Sequence, residues 1–299
     1  MKITGEKIET SYRGYYPFVE KGLIVNMSKA QKRDYNSGEG GELKWKVISH
    51  FNKERDGKGY IKLLPPKMCS KTSSSALVVN SFAEAAKLKS CESTYWNRLL
   101  FNGEDPFFCG KIKEACFEKK LKICDIKGYS PNVDFYLRAE DSVVAIESKY
   151  TEPFKPKTGK MQEQYMDLID EWVGEYPVVK AISAVMREKY EFLDVAQLTK
   201  HMLGLVSMLK AGHSKIKRLK LIYLYHPRAD EVNNGKHRKE VELFAKHFED
   251  AKAKPWFKAM TYKELFSNLK KIPESKNHYN KLRSRYKDGI DCSLWDCDT

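Results

Sequence analysis

The sequence lacks the features that mark secreted, membrane-spanning and multidomain proteins. Its first residues have no apolar core of the kind found in signal peptides. No segment approaches the ~20 consecutive apolar residues that a membrane-spanning helix requires. A linker rich in Pro, Gly and Ser is also missing, as are internal repeats and low-complexity segments. We therefore expect a soluble, cytoplasmic protein that folds as one unit and has no membrane partner.

Paired cysteine motifs are missing too. The chain has 7 cysteines, an odd number, and no two of them form a CxxC pair. Free thiols are the expected state of such cysteines. A zinc site built from Cys109, Cys116 and Cys124, or from Cys292 and Cys297, is the weaker alternative, because these spacings match no common zinc-ligand pattern.

Acidic residues are too few to balance the basic ones. The chain has 54 Lys and Arg against 40 Asp and Glu, a formal net charge of +14, and its 299 residues are 41% hydrophobic. That length and apolar content suffice for a substantial core. The positive field attracts polyanions, and nucleic acid is the leading candidate. Many basic proteins bind no DNA, so charge alone leaves the partner open.

Hydrophobic periodicity predicts an α/β fold with a mixed central sheet flanked by helices. The segments with strand character are residues 121–126, 133–137, 142–150, 220–225 and 257–261. The segments with helical periodicity are residues 42–51, 73–88, 161–173, 178–188, 194–210, 239–253 and 262–271. Asp194 is a plausible N-cap and Gly212 a plausible C′ residue of the fifth helix. The short turn at residues 139–141 requires an antiparallel hairpin, whereas a helical crossover permits a parallel pair.

Charged residues of this hairpin form a pattern suited to metal chemistry. Asp134 opens one apolar strand, and Glu147-Ser148-Lys149 closes the next. Alternate residues of a strand face the same side, so Glu147 and Lys149 project together, while Ser148 points away and leaves its carbonyl near the same edge. Pairing of the strands would bring Asp134 beside Glu147. Two converging carboxylates repel each other unless a cation lies between them.

We therefore predict a Mg²⁺ or Mn²⁺ site held by Asp134, Glu147 and the carbonyl of Ser148. Such an ion lowers the pKa of bound water and stabilises charge on a scissile phosphate, while Lys149 orients or deprotonates the nucleophile. The alternative is a surface hairpin with a solvated Glu–Lys pair worth ~0.2–1 kcal/mol. Glu-x-Lys recurs at Glu42, Glu118 and Glu274, but only Glu147 follows an uninterrupted apolar run with an aspartate upstream.

These residues resemble the motif of the PD-(D/E)xK nuclease superfamily, which has the restriction-endonuclease-like fold. Pro131 and Asp134 match its first part, although the sequence reads Pro-Asn-Val-Asp, and Glu147-Ser148-Lys149 match its second part. The resemblance implies a Mg²⁺-dependent nuclease that hydrolyses phosphodiester bonds in DNA, of the restriction or defence type. On this basis, residues 1–299 form one catalytic domain. Residues 1–110 are a mainly helical elaboration, and residues 111–299 hold the nuclease core and a basic C-terminal region.

The resemblance also implies further catalytic residues. Family members place another glutamate on a helix before the strands, and Glu42 is our candidate, with Glu84 and Glu114 as alternatives. Gln197 and His201 resemble a Gln-x-x-x-aromatic helix of recombination nucleases, in which Gln197 would order the lysine or the DNA. One turn of helix separates them, so they share a face. The alternative is a polar pair at the rim of a packed helix.

A basic segment near the C-terminus is the predicted DNA-binding surface. Its cations would contact phosphates, and Tyr279 and Tyr286 would stack or hydrogen-bond. The cations are Lys276, Lys281, Arg283, Arg285 and Lys287. A merely solvated helix face is the alternative. The sequence also leaves open an inactive nucleic-acid-binding protein on the same fold, an RNA-processing or junction-resolving nuclease, and whether the chain acts alone or as a homodimer.

Overall fold

The computed structural model describes most of the chain from residue 74 onward and two short strands before it. The described residues are 53–55, 61–63, 74–88, 92–103, 106–124, 126, 130–156, 159–212 and 215–287. Within them, no helix is both long and apolar enough to cross a bilayer. The helix predicted at 42–51 lies outside these residues.

A mixed five-stranded sheet forms the centre of the molecule. Its strands are β3 (Glu114–Lys120), β4 (Asn132–Arg138), β5 (Ser142–Lys149), β6 (Arg218–Tyr225) and β7 (Phe257–Thr261). They are ordered β3-β4-β5-β6-β7. β3, β4 and β5 pair antiparallel, whereas β5, β6 and β7 pair parallel. This confirms the mixed sheet expected from one tight hairpin and one helical crossover. Two further strands, β1 (Lys53–Arg55) and β2 (Ile61–Leu63), form a separate antiparallel pair.

Helices cover both faces of the sheet. They are α1 (Ser74–Leu88), α2 (Ser93–Phe101), α3 (Glu163–Trp172), α4 (Pro177–Val185), α5 (Val195–Lys210), α6 (Arg228–Val232), α7 (Lys236–Asp250), α8 (Tyr262–Lys270) and α9 (Lys276–Lys287). α1, α2, α8 and α9 share a core with Phe135 and Ile146 on one face. α3, α4, α5 and α7 share a second core with Tyr136 and Ala145 on the other. The result is an α/β/α arrangement.

The position of β5 explains its unbroken apolar sequence. Every residue of β5 is buried, and successive side chains enter opposite cores: Val143 and Ala145 one, Val144 and Ile146 the other. A strand with both faces covered reads as a continuous hydrophobic run. Polar residues at its carboxyl end, Glu147 to Lys149, are therefore buried as well.

The predicted caps of α5 are present. The Asp194 side chain accepts a hydrogen bond of 3.1 Å from the backbone N–H of Gln197. Gly212, just beyond the helix, has φ 81°, which glycine adopts without the steric penalty that a side chain would bring. Both ends of the helix that faces the carboxyl end of β5 are thus defined by local sequence.

The first predicted strand is displaced. We expected it at residues 121–126, whereas β3 spans Glu114–Lys120. β3 is an edge strand, and edge strands commonly carry charged side chains. Because four of its seven residues are Glu or Lys, its sequence lacks the hydrophobic pattern by which we predicted strands. Leu121 and Ile123 are buried because they pack in the loop against the α3–α5 side, not because they belong to a strand. The helix α2 was also not predicted.

Candidate active site

The predicted acid–acid–lysine set lies where β4 begins and β5 ends. The antiparallel register pairs Phe135 with Ile146. If this register is continued by one residue, Asp134 comes opposite Glu147. The backbone N–H of Ser148 donates a 2.6 Å hydrogen bond to Asp134 Oδ2. The structure thus brings Asp134 to the end of β5, as the hairpin argument required.

Two nitrogen atoms contact the carboxylate of Glu147, one at each oxygen. Lys149 Nζ donates to Oε1 at 2.5 Å, and His201 Nε2 of α5 lies 2.9 Å from Oε2. All three side chains are buried. Burial disfavours the ionised form of Glu147, but Lys149 and His201 outweigh burial and lower its pKa to about 2. Glu147 is therefore a carboxylate near neutral pH.

The pocket holds more acid than its lysine neutralises. Burial raises the pKa of Asp134 well above its ordinary value, and the charges of Glu147 and Glu118 raise it further, against Lys149 and the Ser148 N–H. Burial lowers the pKa of Lys149, but Glu147 and Asp134 more than reverse this and raise it. Like charges in a buried site are costly unless a cation joins them. The site therefore favours an added positive charge.

Glu118 is the site residue that the sequence did not single out. It lies on β3 between the pairs Phe117–Phe135 and Lys119–Val133, at the level of Asp134. Its φ of 50° is in the left-handed region, which is rare for a residue with a side chain and often found at functional sites. Burial, then the charge of Glu147, raises its pKa to about 7.

A signal for Glu118 existed in the sequence. It is one of the Glu-x-Lys copies, but the displaced strand prediction put it outside the sheet. Had β3 been assigned correctly, Glu118 would have fallen opposite Asp134. Three acidic residues thus lie at the same level of three neighbouring strands.

Polar contacts on the opposite face of β5 hold its end in place. Ser148 Oγ lies 2.6 Å from Tyr262 OH at the start of α8. Glu152 accepts hydrogen bonds from the Tyr150 N–H at 2.8 Å and from Ser74 Oγ at 2.7 Å. The end of β5 is therefore held by the start of α8, and the backbone just beyond Lys149 by Glu152 and the first turn of α1.

Of the other predicted catalytic residues, the structure describes Glu114 and Gln197, and neither contacts the acids of the site. Glu42 lies outside the described residues, and the side chain of Glu84, on α1, is not described. Glu114 pairs with Lys119 and Arg138, roughly 13 Å along β3 from Glu118 at about 3.3 Å per residue. Gln197 is half-buried, and its backbone N–H donates a hydrogen bond to the side chain of the N-cap residue Asp194. His201, one turn further along α5, is the residue of this pair that contacts Glu147.

The tyrosines of the predicted DNA-binding helix α9 do not have the exposed positions that we expected. Tyr279 and Tyr286 are buried in the core, and Tyr286 OH accepts a 2.7 Å hydrogen bond from Asn80 Nδ2. They are therefore not available to stack on bases, because the helix uses them to pack onto α1. Lys276 and Lys281 are exposed and Arg283 is partly exposed. The side chains of Arg285 and Lys287 are not described.

Donor chemistry at the site suits a hard cation, although no ligand set is preassembled. Among the described residues, no three His, Cys, Asp or Glu side chains form a group able to hold a metal ion. Cys109, Cys116 and Cys124 are free thiols there, which leaves the zinc alternative without support in this part of the chain. Carboxylate and carbonyl oxygens at Asp134, Glu147 and Ser148 are of the type that Mg²⁺ and Mn²⁺ prefer.

Comparison with models of known protein families matches most of the chain. The model of a family described as restriction endonuclease associating with ARP matches residues 25–287. No curated protein and no solved structure matches the chain. The matched range includes the whole five-stranded sheet and every residue of the candidate site. The mixed sheet between helical layers is the architecture expected of a restriction-endonuclease-like protein. The chain belongs to the family of restriction endonucleases associating with ARP.

Proposed function

We propose that the protein is a divalent-cation-dependent nuclease that hydrolyses phosphodiester bonds in DNA, acting as a restriction or defence endonuclease. Membership of a restriction endonuclease family indicates a nuclease. The cation, the DNA substrate and the roles of individual residues are our extension. One observation carries it: Asp134 accepts a hydrogen bond from the N–H of Ser148, which lies between Glu147 and Lys149, and those two buried side chains pair at the end of β5.

The cation would be Mg²⁺ or Mn²⁺, held by Asp134, Glu147 and the carbonyl of Ser148. The excess of buried carboxylates, reflected in the raised pKa of Asp134, supports this fit. When bound, such an ion activates water and stabilises negative charge on phosphate oxygens. The hydrogen bond from the Ser148 N–H fixes one oxygen of Asp134 and leaves the other for a ligand.

Lys149 would supply positive charge to the reacting phosphate. It is the least buried of the residues that contact Glu147, with 11% of its side chain exposed against 0% for His201. Its flexible stem lets Nζ leave Glu147 for a substrate phosphate without moving β5. A positive charge placed where negative charge develops in the transition state lowers the activation barrier more than it strengthens ground-state binding.

DNA is the substrate that the charge and the family favour. A formal charge of +14 attracts any nucleic acid, so the preference for DNA over RNA rests on the restriction-endonuclease family. A catalytically inactive binding protein is the main alternative. The complete Asp134, Glu147 and Lys149 set argues against it, because a retired site usually loses one of the three.

The test is cleavage of four substrates under three metal conditions. Supercoiled plasmid, linear duplex, single-stranded DNA and RNA are incubated with the protein in Mg²⁺, Mn²⁺ or EDTA. We expect DNA cleavage with either ion and none in EDTA. Asp134→Asn and Glu147→Gln should abolish it, whereas Glu140→Gln, an exposed acid in the β4–β5 turn, should cut like the parent. Cleavage in EDTA, or full activity of either site variant, refutes the proposal.

A further inference from the structure

A histidine on the helix facing the sheet makes a contact that the proposed function does not use. His201 lies in the middle of α5 and is completely buried. Its Nε2 is 2.9 Å from Glu147 Oε2, and its Nδ1 has no hydrogen-bond partner among the described residues. The angle departs from that of a straight N–H···O bond, so Nε2 supports the Glu147 carboxylate through a short but bent contact.

The helix that contains this histidine, α5, is long and well packed. α5 has 16 residues, is capped by Asp194 and buries Leu198, Met202 and Leu205 in the core that it shares with the sheet. A side chain on such an element is held more precisely than one on a loop. Lys149, by contrast, reaches Glu147 with a four-carbon stem from the end of its strand.

Of the two contacts on Glu147, the one with Lys149 can therefore be released, whereas the one with His201 persists. Lys149 holds Oε1, the oxygen it must release if Nζ moves to a phosphate. His201 holds Oε2 from a fixed position. With one oxygen anchored to α5, the carboxylate keeps its orientation when Lys149 leaves, and Oε1 becomes available to a cation.

We propose that His201 is a positioning residue, which holds the Glu147 carboxylate in the orientation that binds the divalent cation. The inference rests on the proposed function and deepens it. Carboxylate ligands of metals are generally oriented by such outer contacts, and removing one typically lowers metal affinity or activity by ~10–100-fold.

The competing explanation is that His201 merely fills the core, and a matched set of variants separates the two. His201→Phe replaces the imidazole with an aromatic ring that has no nitrogen, whereas His201→Gln returns an N–H donor near the place of Nε2. His278→Phe is the control, since His278 is also buried but contacts the Asn80 carbonyl at 2.8 Å in the other core. If His201→Phe does not fold, His201→Leu takes its place.

Mn²⁺ affinity, measured by electron paramagnetic resonance without DNA, is the main readout, with kcat and KM for duplex cleavage beside it. We expect His201→Phe to raise the Kd for Mn²⁺ by ~10–100-fold and to lower kcat with little change in KM, and His201→Gln to restore most of both. His278→Phe should bind Mn²⁺ like the parent. A parent-like Kd in His201→Phe, or a Gln variant no better than Phe, overturns the inference. A parent that neither binds Mn²⁺ nor cuts DNA contradicts the proposed function instead.

Discussion

At the scale of single residues, the site concentrates charge that the rest of the core excludes. Glu147 is stabilised as a carboxylate by Lys149 and His201, whereas Asp134 and Glu118 have raised pKa values because burial and neighbouring acids oppose their ionisation. Strain at Glu118, with φ 50°, adds to this cost. Such local destabilisation is common where a protein prepares a site for a ligand.

Lys149→Met should separate turnover from binding. The apolar stem is kept and the ammonium lost, so we expect kcat to fall by ~100-fold or more while DNA affinity changes little. Single-turnover cleavage and equilibrium DNA binding measure the two quantities. Weaker DNA binding with an unchanged kcat would mean that Lys149 contributes to ground-state binding alone.

Glu118→Gln should stabilise the fold and weaken the enzyme. A carboxyl whose pKa is raised to about 7 in the folded state from 4.5 binds more protons there than when unfolded, so its contribution to stability falls as pH rises from 4.5 to 7. We expect the variant to have a higher Tm than the parent at pH 8 and a smaller difference at pH 5, with lower cleavage activity. Glu140→Gln is the control. A lower Tm at pH 8 would show that Glu118 is structurally required.

At the scale of elements, the packing of α5 on the loop after β3 determines where His201 lies. A Cβ added at Gly204, in α5, would stand 2.6 Å from Leu121 Cβ. Only glycine permits this approach, and it brings the helix close to the sheet. The same contact buries Leu121, whose apolar character suggested a strand where the chain forms a loop.

Gly204→Ala should therefore destabilise the protein, although alanine favours helices by ~1 kcal/mol. The clash involves the Cβ of Leu121, so the backbone must shift, at a cost of about 1–3 kcal/mol. We expect a lower free energy of unfolding in urea and reduced activity. Gly174→Ala, where an added Cβ meets nothing within 4 Å, should have little effect. A stabilised Gly204→Ala variant would show that α5 tolerates displacement.

At the scale of the whole molecule, a net charge of +14 would attract the DNA that we propose as the substrate. DNA affinity should fall linearly with salt on logarithmic axes, with a slope of about −0.9 for each phosphate contacted. Exposed lysines of α9 are the predicted contacts, whereas the exposed lysines of α7 lie in the helical layer on the other face of the sheet.

Lys276→Ala combined with Lys281→Ala should reduce the magnitude of that slope by up to ~2, because each lost phosphate contact removes about one. Lys239→Ala combined with Lys246→Ala, an equal change of charge on α7, should leave it nearer the parent value. Titrations of duplex DNA at several salt concentrations measure both. Equal reductions would indicate that net charge matters and the α9 surface does not.

The sequence by itself determined the mixed sheet and the placement of Asp134 beside the end of β5, because both follow from local rules: alternation along strands, a short hairpin turn, and the caps of α5. It could not determine the site's other members. Glu118 lies on an edge strand whose charged sequence concealed it, and His201 lies on a helix, 54 residues after Glu147 in the chain. Only tertiary packing brings His201 to Glu147, since the approach of α5 depends on contacts, such as Gly204 against Leu121, between residues distant in the chain.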